Sequence, residues 1–133
     1  MAFLITKPLI EQQAEAITTI DTLAGQKRLQ YITNVPGQEI TYSAKLADAQ
    51  AYILAGYPSD VTPYHWVDAE ATATGATPIQ VADLIAITGH TWAEVGSKIE
   101  GARQAAKIAI NNATSIVDIR TAISTFTTYL TSL

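Results

Sequence analysis

Two histidines are the residues best suited to chemistry in this chain, and each has a carboxylate at helical spacing: His65 with Asp68 at i, i+3, and His90 with Glu94 at i, i+4. On a helix those intervals bring two side chains onto one face, where they can present a pair of metal ligands. Neither pair has a third or fourth ligand in register, so the pattern predicts solvated or hydrogen-bonded side chains and no metal. Ser43, Ser59 and Ser97 have no associated histidine in local sequence to activate a hydroxyl. Cysteine is absent, which removes thiolate chemistry and a disulfide framework. There is no phosphate loop, dinucleotide fingerprint or nucleophile elbow. The expectation is a non-enzymatic protein with no catalytic residue, metal or cofactor. Asn112-Ala113-Thr114 matches a glycosylation acceptor by pattern, but it reads better as the end of a helix.

Protein surfaces are the remaining candidates. Tyr57, Tyr64, His65 and Trp66 flank a connection held rigid by Pro58 and Pro63. Such a cluster either binds a partner or sugar or packs the end of a helical bundle, and packing is the commoner use. The apolar run Ala2 to Ile5 precedes Pro8 and either folds back or adds to another chain as an extended arm over residues 1–7.

The elements that must position these residues are helical. Pro8 predicts a helix start, followed by Ile10, Ala14, Ile17, Ile20 and Ala24 at helical spacing to about Ile32, with a bend or break possible near Gly25. Asn34 to Gly37 predicts a type II turn. A second helix begins near Gln38, carries Tyr42, Leu46, Ala49 and Ile53 on one face, and stops at Gly56 before Pro58. Thr62 and Pro63 read as the N-cap and first residue of a short helix through Trp66, Val67 and Ala71 to Gly75. Thr77, Pro78 and Gln80 form a capping-box pattern.

Downstream of that box, Val81, Ile85, Thr88, Trp92, Val95, Ile99, Ala102, Ala106, Ala109 and Ala113 alternate steps of four and three, the spacing of a coiled-coil seam. A helix from Pro78 to Asn112 would be about 50 Å long. That exceeds the roughly 36 Å diameter of a compact chain of this size, so it bends or the molecule is elongated. Gly89, Ala93 and Gly96 form either a strip for close backbone approach or, at Gly89, a kink. Ser115 and Asp118 cap a last helix with Ile116, Ile119, Ile123, Phe126, Leu130 and Leu133 on one side and Thr and Ser on the other. The fold class expected is all-α: an elongated bundle of about four to five helices, in one domain spanning 1–133, with one long heptad-patterned helix.

Composition narrows the partners. The formal charge is -4, and eight basic residues are scattered without a cluster, which disfavours nucleic acid. No segment has some 18 uninterrupted apolar residues, and the start lacks the form of an export signal, so membrane insertion is not expected. Charged residues make up 15% of the chain against roughly 25% in an average soluble domain, a deficit that suits a protein whose flanks are covered in an assembly.

Between Ala24 and Thr114 the chain carries a recognisable set of residues. These are Tyr31-Ile32-Thr33, Pro36-Gly37-Gln38-Glu39, Tyr42, Lys45, Ala49-Gln50-Ala51-Tyr52 and Gly56-Tyr57-Pro58, then Glu70-Ala71, Gly75, Thr77-Pro78, Trp92, Ile99-Glu100, Arg103 and Lys107. This pattern resembles a helical module of small proteins and C-terminal segments encoded in the tail and tail-fibre regions of tailed bacteriophages. The resemblance implies a virion protein of the tail, baseplate or tail fibre, in the host cytoplasm during assembly. It implies packing on other phage structural proteins and homo-oligomerisation, with a trimer suiting fibre symmetry; the alternative is a non-virion tail-fibre assembly chaperone. Candidate interface residues are Phe3, Leu4 and Ile5; Tyr57, Tyr64 and Trp66; Gly89, Trp92, Ala93 and Gly96; and Phe126 and Leu130.

Overall fold

The computed structural model describes residues 7–32 and 38–133. Its described residues form five helices and no strand: α1 (Leu9–Arg28), α2 (Gln38–Leu54), α3 (His65–Thr74), α4 (Pro78–Asn111) and α5 (Ile116–Thr131). The fold is all-α. The apolar arm and the Asn34 to Gly37 turn lie outside the described residues.

Helix ends follow local chemistry. The Thr77 hydroxyl accepts the Gln80 N–H at 3.1 Å and the Gln80 amide oxygen accepts the Thr77 N–H at 3.0 Å, which is the capping box expected at the start of α4. At α5 the Ser115 hydroxyl accepts the Asp118 N–H, and the Asp118 carboxylate accepts from the N–H and hydroxyl of Thr114. Gly75 closes α3 in a left-handed conformation, its N–H bonded to the Ala71 carbonyl. The end of α2 is a Schellman motif: Gly56 has φ 83°, its N–H reaches the Ile53 carbonyl, and the Tyr57 N–H reaches the Tyr52 carbonyl.

Other boundaries differ from the sequence reading. Pro8 is the N-cap of α1, one residue earlier in role than expected, with extended ψ of 147°. That helix ends at Arg28, beyond which Gln30 and Tyr31 bond three residues back to Lys27 and Arg28, tightening the chain into turns through Ile32. It runs unbroken through Gly25, because Ala24 beside it is fully buried and packing outweighs the glycine penalty of about 1 kcal/mol. Thr62 does not cap α3, since both its N–H and its hydroxyl are held by the Asp60 carboxylate; Tyr64 is the N-cap. The helix assignment of α4 is likewise continuous across Gly89.

Packing divides the chain into two compact units, Met1–Ile32 with Val95–Leu133, and Thr33–Glu94. The first is built on α1, α5 and the C-terminal part of α4. Ile20, Ile99, Ile110, Ile119, Phe126 and Leu130 fill its core, and Ala16, Ala24, Ala106, Ala113 and Ala122 supply the small positions that let helix axes approach. The second is built on α2, α3 and the N-terminal part of α4, with Ala49, Tyr52, Val67, Ala71, Val81 and Ala82 inside.

The seam on α4 holds at Val81, Ile99 and Ala106, but Thr88 and Ala109 are exposed and Ile110 is fully buried. A straight helix drifts about 20° per heptad against a seven-residue repeat, so four heptads displace the buried line by nearly one residue. The start of the last stripe also departs: Ile116 is 38% exposed, while Ile119, Phe126 and Leu130 are buried.

Candidate functional site

The aromatic corner belongs to the second unit and is organised by a residue outside the expected set. Tyr52, 3% exposed on α2, receives Tyr57 and Tyr64 edge-on with ring centroids 5.7 and 5.0 Å away. Its hydroxyl donates to the Pro58 carbonyl at 3.0 Å. Tyr57 has φ 56°, an uncommon conformation for a residue with a side chain, and its hydroxyl donates to the Asp83 carboxylate of α4 at 2.5 Å. That hydrogen bond, followed by partial burial, raises the Tyr57 phenol above its ordinary 10.0. Tyr57 and Tyr64 therefore pack, whereas His65 and Trp66 face outward, Trp66 at 42% exposure. Sequence alone held one signal for Tyr52. It lies five residues before Tyr57, the pair of positions that a Schellman end brings into contact.

Two polar ties complete the corner. The Asp48 carboxylate accepts the Val67 N–H at 2.9 Å, so α2 supplies the capping acceptor that Tyr64 cannot provide for α3. Lys45 Nζ pairs with Glu70 Oε1 at 3.1 Å. Gly89 is where α2 meets α4: a Cβ there would lie 2.6 Å from Leu46 Cδ1 and 2.9 Å from Cδ2. What lies against Gly89 is thus the Leu46 side chain, and no neighbouring backbone is among its nearest atoms. Ala93 is exposed, and Trp92 and Gly96 are half-buried.

In the first unit, the largest cluster of charge ties α1 to α4. Arg103 grips Glu100 through Nε and Nη2 at 2.8 Å each and reaches Asp21 at 2.8 Å through Nη1. Arg28 joins Glu100 at 2.9 Å and Lys107 joins Asp21 at 2.9 Å. Hydrogen bonds from Arg103 and Gln104 hold the Glu100 carboxyl down at about 2, and Lys107 with Arg103 lowers Asp21. Every carboxylate in this network faces a cation, so it has no poised base. The Gln13 amide of α1 donates to the Ile110 and Ala113 carbonyls at 3.0 and 3.3 Å, satisfying acceptors at the end of α4. Phe126 and Leu130 are core residues of this unit, at 2% and 7% exposure. Phe3, Leu4 and Ile5 lie outside the described residues.

His65, His90 and Glu94 are exposed, and the described residues bring together no group of three or more potential metal ligands. No described helix is long and apolar enough to cross a membrane. What the surface does offer is large apolar side chains: Ile40, Leu54, Leu84, Ile87, Ile108 and Val117 are all at least 60% exposed. No protein-family model, curated protein or solved structure matches this chain.

Proposed function

We propose that this chain is a non-enzymatic structural component of a tailed-phage particle, in its tail, baseplate or tail-fibre region, working by helical packing on its neighbours. The observation that carries the reading is the exposed apolar surface. Leu54 is 90% exposed, Ile40 77% and Ile10 75%, on helices whose opposite sides are already buried. Scattered exposed apolar residues are ordinary, but large ones repeated along several helices fit a protein that is covered when it works. The low fraction of charged residues agrees with that use.

The residues behind the phage resemblance also have structural occupations. Tyr52, Gly56 and Tyr57 close α2, Thr77 caps α4, Lys45 pairs with Glu70, and Glu100, Arg103 and Lys107 tie α4 to Arg28 and Asp21 of α1. A module whose recognisable residues sit at helix ends and inter-helix ties is one that delivers a shape. Proteomic mass spectrometry on density-purified particles tests the proposal. Abundant peptides from this chain are expected. Peptides in the infected-cell lysate but not in particles would overturn the structural reading and leave the assembly chaperone in its place.

A further inference from the structure

Charge is divided unevenly between the two units. Residues 33–94 hold seven carboxylates and one base, a formal charge of -6, whereas the rest of the chain holds seven bases and five carboxylates, a formal charge of +2. The single base of the second unit, Lys45, is already paired with Glu70. Apolar exposure follows the same division. Of the large side chains at least 65% exposed among the described residues, Ile40, Leu54, Leu84 and Ile87 belong to the second unit and Ile10 to the first. A surface that is both acidic and apolar repels nucleic acid and anionic lipid, and it attracts a chain that is basic and apolar.

We infer that the second unit docks a basic, amphipathic helix of a partner protein along the outer face of α2. On that face Ile40, Ala44, Ala47, Ala51 and Leu54 follow steps of four, three, four and three, and no polar residue interrupts them. Ala47 and Ala51 are exposed, Ala44 is half-buried, and the two large residues at the ends are 77% and 90% exposed. Such spacing is the one with which a helix packs along another, and the three alanines leave a trough between Ile40 and Leu54 for larger side chains of the partner. The sequence reading assigned α2 a single apolar face and did not reach this one.

The rims decide the partner's charge. Glu39 lies to one side of the face and Asp48 to the other, and neither rim holds a base. The Asp48 carboxylate is engaged by an amide, the Val67 N–H, and by no cation among the described residues. A second copy would set like charges together, whereas lysines or arginines along a partner helix meet opposite ones. An indole adds to the preference. One turn before Glu70, on the side of α3 that Lys45 reaches, Trp66 is 42% exposed, and an ammonium or guanidinium group is attracted to the face of such a ring.

This surface is read from the charge and exposure of the chain and stands whether or not the particle assignment does. Fluorescence anisotropy on the purified full chain tests it, with a labelled synthetic peptide of leucine and lysine, amphipathic and as long as α2, beside the same peptide with glutamate for lysine. The lysine peptide is expected to bind, and to bind more weakly as salt rises from about 20 to about 300 mM, while the glutamate peptide stays free. Leu54→Lys and Ala47→Lys put charge on the docking face, and Ile108→Lys makes the same change of net charge on an exposed residue of the first unit. All three positions are exposed, so far-ultraviolet circular dichroism should be unchanged. The first two are expected to weaken binding about tenfold or more, and the third by less than about twofold. Failure of the lysine peptide to bind at low salt overturns the inference, as does equal binding of the two peptides or an equal effect of the three variants. Light scattering at the same concentrations reads the other occupant: a dimer that Leu54→Lys abolishes, in a chain that ignores the lysine peptide, would overturn it in favour of a second copy.

Discussion

The two units solve the same problem with different means. The one formed by α1, α5 and residues 95–111 of α4 buries aliphatic and phenyl side chains against alanines, and its ion network lies at the rim of a core that is already filled. The other unit has a core of small residues around Tyr52, with Val67 and Val81 its largest buried aliphatics. It relies more on directed contacts: the Tyr52 and Tyr57 hydroxyls, the Asp48 cap and the Leu46 contact at Gly89. It also carries the most exposed large residue of those described, Leu54. Apolar burial is the stronger and less directional of the two means, so the first unit is the more self-sufficient and the second has more to gain from a partner.

Phe126→Ala tests that contrast most forcefully. Truncating a buried phenylalanine costs about 3–5 kcal/mol, and Phe126 is 2% exposed. Hydrogen exchange on the variant should show protection falling in α1, α5 and the C-terminal part of α4 and holding in α2 and α3. Equal loss in α2 and α3 would mean that the two cores unfold as one.

The next effect is a gain masked by a contact. Alanine gains about 1 kcal/mol over glycine inside a helix, but a Cβ at position 89 meets the Leu46 methyls at 2.6 and 2.9 Å. Those methyls end a half-buried side chain that can turn aside at a cost of about 1 kcal/mol, the low end for overpacking, so Gly89→Ala should be close to neutral in urea melts. In a Leu46→Ala background the obstruction is gone, and the same substitution should stabilise. Two variants that simply add would show that α2 and α4 are not in contact there.

Both substitutions bear on what could be read in advance. The capping box at Thr77, the Ser115 cap and the Gly56 and Gly75 stops were legible, because each is settled by residues within four of one another. The all-α class followed from periodicity alone. What escaped depended on long-range partners. Gly25 and Gly89 look like breaks in isolation, and only the packing of Ala24 and Leu46 shows why the helix continues. Thr62 has the right type and place for a cap, yet Asp60 takes its hydroxyl first. Ile110 replaced Ala109 because a heptad count does not include helical drift. At the aromatic corner, Tyr57 and Tyr64 were found, but Tyr52, which both touch, was hidden inside a helix that already had an apolar stripe.

Asp48→Ala is a smaller probe of the second unit. Loss of a helix-capping acceptor costs about 1 kcal/mol, and the effect should be local: faster exchange at the Val67 amide, with the first unit unaffected. Unchanged exchange at Val67 would show that the amide finds another acceptor and that α2 does not cap α3.

Titration gives the smallest effect and sets the ion network and the Tyr57 contact apart by direction. Glu100 is held at about 2, below its ordinary 4.5, by its hydrogen bonds from Arg103 and Gln104, and Asp21 is lowered by Lys107 and Arg103. A lowered carboxyl favours the folded state above the unfolded value, so that contribution fades as pH falls from 4.5 toward 2. Tyr57 behaves in the opposite sense. Its phenol is raised by Asp83, so its contribution is complete below the ordinary 10.0 and is lost as pH rises beyond it. These groups are largely exposed, so solvent and salt weaken both effects. Exchange measured at pH 3 against pH 6, corrected for intrinsic rates, should loosen α1 and its ties to α4 first. Alkaline near-ultraviolet titration should instead release the Tyr57 contact, and Tyr57→Phe should remove that transition and leave the acid one in place. Acid loosening that begins around α2 and α3 would reverse the assignment, making the network on Arg103 incidental and the aromatic corner the more acid-sensitive part.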